Sequence, residues 1–217
     1  MRTFIQRNLD PVSRLGEILF GLIMALGFTA SVRLGLDEAD NRSLFIGILG
    51  CNVAWAVVDG AMYVLTELFD RGRRARLIRE VRSAPTDARA IELIAAELDE
   101  RLEFLESAPD PGQLHRAILE RVRSGTPVQA RLHREDLLGG LAAGLVIVLA
   151  TLPVVVPFVI VPDPTVAVRV SNAVALALLF LLGMSWGRAV GGRPLHVGLG
   201  LTAVGIVLVL ITIALGG

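Results

Sequence analysis

Long apolar blocks alternate with short polar stretches along this chain, and the block lengths decide its fold class. Crossing a hydrocarbon layer about 30 Å thick takes roughly 20 apolar residues in a helix. Five blocks reach that length, at about 15–33, 44–69, 137–160, 166–187 and 195–215. The charged residues concentrate between the second and third blocks. That polar stretch is broken at Ala84-Pro85-Thr86 and again at Ala108-Pro109-Asp110-Pro111-Gly112, which predicts helices at about 71–83, 87–107 and 112–124. Pro127 then opens a short lead into the third span. The pattern predicts an all-α membrane protein with five transmembrane helices and a three-helix cytosolic insert between helices 2 and 3. Its divisions are 1–69 (an N-terminal segment and spans one and two), 70–136 (the insert) and 137–217 (spans three to five).

Composition agrees: 53% of the 217 residues are hydrophobic, and the mean hydropathy is +0.64. The formal charge is +0, which gives no reason to expect a nucleic-acid partner. Apart from three histidines every basic residue is arginine. A lone cysteine, Cys51, excludes an intramolecular disulfide. Arg2, Arg7 and Arg14 before the first apolar run resemble the start of a signal peptide, but Glu17 lies inside the run, so the first helix is expected to be retained.

Arginine placement predicts orientation, because short loops rich in basic residues stay in the cytoplasm. Arg2, Arg7 and Arg14 precede the first span. Arg71, Arg73, Arg74, Arg76, Arg79 and Arg82 follow the second, and Arg131 and Arg134 precede the third. The expected topology has the N-terminus and insert in the cytoplasm and the C-terminus outside, in a multi-pass protein of a bacterial inner membrane.

An ionisable side chain within a span costs about 2.5–3.5 kcal/mol on insertion scales, so each one is a functional candidate. Glu17 and Asp59 stand out. At 100° per residue, Glu17, Gly21, Met24, Phe28 and Ser31 fall within about 40° of one line. Gly21 is expected to leave room above the carboxylate. On the second helix Asn52, Trp55, Asp59, Tyr63 and Asp70 share a face, with Met62 on its edge. Such stripes face protein or water, not lipid. Carboxylate oxygens with thioethers suit a borderline divalent ion, though Met24 and Met62 also read as packing residues. Glu17 is also within reach of Arg14, one turn away. Gly140 and Gly144, flanked by Gly139 and Ala143, form a surface for close helix approach. Pro153 and Pro157 are expected to kink the third span and free carbonyls there, or to mark its outer end.

In the insert, Ile91, Ile94, Leu98, Leu102 and Leu105 form an apolar stripe. Glu92, Asp99, Glu103 and Glu106 fall within about 60° of one another beside it. They read as a solvated face neutralised by arginine, or as a surface that collects metal. His115 and His133 lack Cys or His neighbours at zinc-ligand spacing. The chain contains no phosphate loop or nucleophile elbow, so an enzyme is the class with least support.

This layout resembles the vacuolar iron transporter family. Gly16-Glu17-Ile18-Leu19 stands where that family carries an acid in an Asp-Gly-Leu type segment. Pro153-Val154-Val155-Val156-Pro157 resembles its Pro-Leu-Leu-Pro type motif with one residue more. The run from Ala175 to Gly183 is similar to its fourth helix, and Gly187-Arg188 through Pro194 to the loop that follows. Asp59-Gly60-Ala61-Met62-Tyr63 differs in placing methionine next to tyrosine and adding an aspartate. The resemblance implies a homodimer that moves Fe²⁺ or Mn²⁺ out of the cytosol in exchange for protons, with no permanently bound cofactor. Glu17, Met24, Asn52, Asp59 and Met62 would then line the path. Glu17 and Asp59, with Glu92, Asp99, Glu103 and Glu106, would bind the metal. The competing expectation is a membrane scaffold, without transport, whose insert binds a cytosolic protein.

Overall fold

The computed structural model describes residues 3–32, 40–102, 111–126 and 129–214. Every regular element among them is a helix: α1 (Phe4–Asn8), α2 (Pro11–Val32), α3 (Asn41–Ser83), α4 (Asp87–Leu102), α5 (Pro111–Ser124), α6 (Arg134–Val155), α7 (Pro157–Ile160), α8 (Pro164–Ala189) and α9 (Pro194–Ala214). Five segments are long and apolar enough to cross a membrane: Pro11–Thr29, Asn41–Ser83, Arg134–Ile160, Pro164–Ala189 and Pro194–Ile211. The helix starts follow from local chemistry. Asp10, Asp40 and Asp163 each precede a helix, and their carboxylates accept the N–H groups of Val12, Ser43 and Val166 at 2.9, 2.8 and 2.8 Å. An aspartate in that position satisfies a donor the helix cannot. Pro11 and Pro164 then occupy the first helical position, where a missing N–H costs nothing.

The chain forms two compact units, one made of Met1–Val64 with Arg134–Gly217 and the other of Leu65–His133. In the first, helix contacts are made through backbone. Small residues let helix backbones approach closely. A Cβ built on Gly140 would lie 2.5 Å from the Gly60 carbonyl oxygen, and one on Gly144 would lie 2.7 Å from that of Ala56. The partner of the small-residue surface on α6 is therefore α3. Gly139 lies directly under the Tyr63 ring. Gly21 differs from expectation: a Cβ there would come within 3.1 Å of the Ile147 carbonyl oxygen. The missing side chain admits the backbone of α6, so no space remains above Glu17 on that side.

Beyond these crossings, Leu22, Leu26, Ile48, Ile147 and Leu179 are fully buried and fill the interior of α2, α3, α6 and α8. Pro153 lies within α6, which stops at Val155 and resumes as α7 at Pro157. The Val154 carbonyl at this break accepts the Ser171 hydroxyl at 2.7 Å. A serine of α8 thus satisfies a carbonyl next to the break in the third span. The last helix, α9, packs along α8 and also touches α2. Its turn from α8 is a Schellman motif. Gly191 takes φ +69°, and the N–H groups of Gly192 and Gly191 reach back to the Gly187 and Arg188 carbonyls at 2.8 and 3.4 Å.

The second unit holds the end of α3 with α4 and α5. Val81, Ala90, Ile94 and Leu119 are its buried centre, with Ile91 and Leu98 packed against them. The apolar stripe of α4 therefore turns inward where it is described; the Leu102 side chain and Leu105 lie outside the described residues. Arg82 fastens α3 to the end of α5. Its Nε and Nη2 donate to the carbonyls of Val122 and Gly125 at 2.8 and 2.5 Å, satisfying acceptors that a helix C-terminus leaves open.

Candidate functional site

Glu17 sits one turn before the Gly21–Ile147 crossing, and Asp59 immediately precedes the Gly60–Gly140 crossing. Both acids are thus fixed by contacts to the same helix, α6. The result is that the carboxyl groups of Glu17 and Asp59 meet within hydrogen-bonding reach. Glu17 Oε2 and Asp59 Oδ2 are buried without a hydrogen-bond partner. Neither acid pairs with an arginine among the described residues, so the alternative in which Arg14 neutralises Glu17 does not hold there.

Asn52 lies two turns from Asp59 on the same face, about 10 Å along the axis. It is fully buried. Its Nδ2 donates to the Ile48 carbonyl at 3.0 Å, and its Oδ1 has no partner. Four side-chain oxygens on α2 and α3 therefore stand buried and unsatisfied in one unit: those of Glu17, Asn52 and Asp59, and Asn41 Oδ1 at the start of α3. An unpaired buried acceptor costs about 1–3 kcal/mol, and more when charged. Two carboxylates in contact cannot both stay ionised without positive charge between them. A proton or a metal ion meets that need, and the donors are hard oxygens of the kind that suit Mg²⁺, Mn²⁺ or Ca²⁺.

Of the other expected path residues, Met24 is half-buried on α2, while Met62 is 54% exposed. Among the described residues no three His, Cys, Asp or Glu side chains converge as a metal cluster. On α4, Glu92 is exposed and bound to Arg89 at 2.6 Å. Only the backbone of Asp99 is described, and Glu103 and Glu106 lie outside the described residues. Two acids of this unit that were not singled out also pair with arginine: Glu97 with Arg73 at 3.0 Å and Asp87 with Arg123 at 2.8 Å.

Sequence reasoning missed a second polar contact. The Thr29 hydroxyl lies 2.7 Å from Asn172 Oδ1 and joins α2 to α8. Asn172 was visible as a polar residue in an apolar run, but nothing in the order of residues names its partner. No protein-family profile matches the chain, and no curated protein matches it.

Proposed function

We propose that the chain is a divalent-metal transporter that moves Fe²⁺ or Mn²⁺ out of the cytosol in exchange for protons. One observation carries the reading: two carboxyl groups from different apolar helices face each other, each with a buried oxygen that no protein donor satisfies. A structural acid pair would be expected to find an arginine; a transit site needs oxygens left free for a cation that must also leave. Asn52 Oδ1 supplies a further oxygen on the same face of α3. Two carboxylates that share one positive charge can hold either a proton or part of a metal's coordination shell, which is the requirement for exchange. Fe²⁺ and Mn²⁺ are preferred through the resemblance to the vacuolar iron transporters, as are the homodimer and the cytosolic N-terminus. The second unit would then be cytosolic. Its metal-collecting role has less behind it, because Glu92 is already held by Arg89.

The test is uptake into proteoliposomes loaded with a metal-sensitive dye, comparing wild type with Glu17→Gln and Asp59→Asn. The expected outcome is transport by wild type and its loss in both variants. Equal uptake by all three removes the carboxylate path. A melting series in Fe²⁺, Mn²⁺, Mg²⁺ and Zn²⁺ separates this reading from the scaffold, since a ligand bound only by the folded protein raises its apparent stability.

A further inference from the structure

A polar cleft of about 640 Å³ opens at the start of the first apolar helix, lined by Gln6, Arg7, Asn8, Asp10 and Arg14 among others. Neither guanidinium has a partner among the described residues. The one acid, Asp10, is already committed to the first turn of α2, where Oδ1 accepts the N–H groups of Val12 and Ser13 at 2.9 and 3.1 Å. Asn8 is likewise occupied, its Nδ2 donating to the Phe4 carbonyl at 2.8 Å. Gln6 is half committed: its Oε1 accepts the Thr3 N–H at 3.0 Å, which leaves its amide nitrogen free to donate. Three donors of the cleft are therefore free, two of them cationic, beside the single carboxylate of Asp10 and the Asn8 amide oxygen.

A second observation says what the cleft would hold. Gln6 and Arg14 also line an adjoining groove of about 310 Å³, whose remaining wall is mostly apolar: Ile18 of α2 with Val146, Leu149 and Ala150 of α6. A free phosphate would use the cleft and leave the groove empty. A hydrocarbon chain would use the groove and leave two guanidiniums unpaired. A ligand with an anionic phosphate joined to an acyl chain fills both. Arginine suits the first part because its planar fork binds phosphate oxygens in pairs. We infer that α1, α2 and α6 form a binding site for an anionic phospholipid, with the phosphate between Arg7 and Arg14 and one acyl chain along Ile18 and Ala150. The site is separate from the Glu17–Asp59 pair and does not depend on transport.

The experiment uses the full chain in nanodiscs of phosphatidylcholine, with and without phosphatidylglycerol. It reads melting temperature and the lipid retained in native mass spectrometry. Phosphatidylglycerol should raise the melting temperature and stay bound. Arg7→Gln and Arg14→Gln should each weaken its retention roughly fivefold. Gln6→Glu keeps the capping box with Thr3 but adds negative charge to the cleft, so it should expel the lipid without unfolding the chain. Inorganic phosphate in solution should reproduce none of this. Equal retention of the two lipids, retention unchanged by all three substitutions, or full stabilisation by phosphate alone would each overturn the assignment.

Discussion

Replacing Gly140 by alanine is the sharpest test of how the first unit is built. The added methyl would meet the Gly60 carbonyl oxygen at 2.5 Å and Val64 Cγ2 at 2.9 Å. Ordinary contact begins near 3.4 Å, so α3 and α6 must part by about 0.9 Å at this point. Val64 can rotate; the Gly60 carbonyl cannot, because it belongs to a helix. Overpacking costs about 1–3 kcal/mol, and an immovable backbone places this case near the top of that range. Alanine returns about 1 kcal/mol through its helix preference, leaving a net loss of about 2 kcal/mol. For a chain of this length that is a fall of about 4–8 °C in melting temperature. Gly27→Ala is the control, since a Cβ there meets nothing within 4 Å and should be neutral or slightly stabilising. Thermal melting of both variants in one detergent gives the comparison. If Gly140→Ala melts at or above the wild type, in step with Gly27→Ala, the close backbone crossing is not what holds α3 to α6.

Two further outcomes follow from the caps. Removing the guanidinium in Arg82→Ala leaves the Val122 and Gly125 carbonyls without a charged donor; it should cost about 1.5–3 kcal/mol, and hydrogen exchange should speed up in the last turn of α5 before it does in α8. Burial pushes the Asp10 carboxyl up, but hydrogen bonds from Ser13 and Val12 outweigh it and hold the group below its ordinary 3.8. A folded-state value below the unfolded one means the cap contributes fully above about pH 4 and is lost as pH falls through the folded value. Asp10→Ala should therefore destabilise by roughly 0.5–1 kcal/mol at pH 7, and the gap to wild type should close in acid when melting is followed against pH.

Sequence made the helices legible because an apolar run of spanning length has few other uses. It also singled out Glu17 and Asp59, since a charge in an apolar run is expensive wherever it lies. Their meeting was harder to see. It depends on where Gly21 and Gly60 let α6 approach, and a list of glycines does not say which backbone each admits. Gly21 illustrates the limit: a small residue beside an acid reads equally as room or as a contact, and here Ile147 occupies the space. Met62 shows another. On the edge of a stripe, a few degrees of helix rotation decide between interior and surface, and periodicity does not resolve them. The Thr29–Asn172 contact joins helices far apart in the chain and leaves no local trace.

The α8–α9 pair brings Gly183 against Gly198 and Gly187 against Pro194, each with only 2.7 Å available where a Cβ would stand. The same seam runs on to Gly205, which lies against Leu176 and Leu179, so a side chain added at Gly183, Gly198 or Gly205 would have to push the two helices apart.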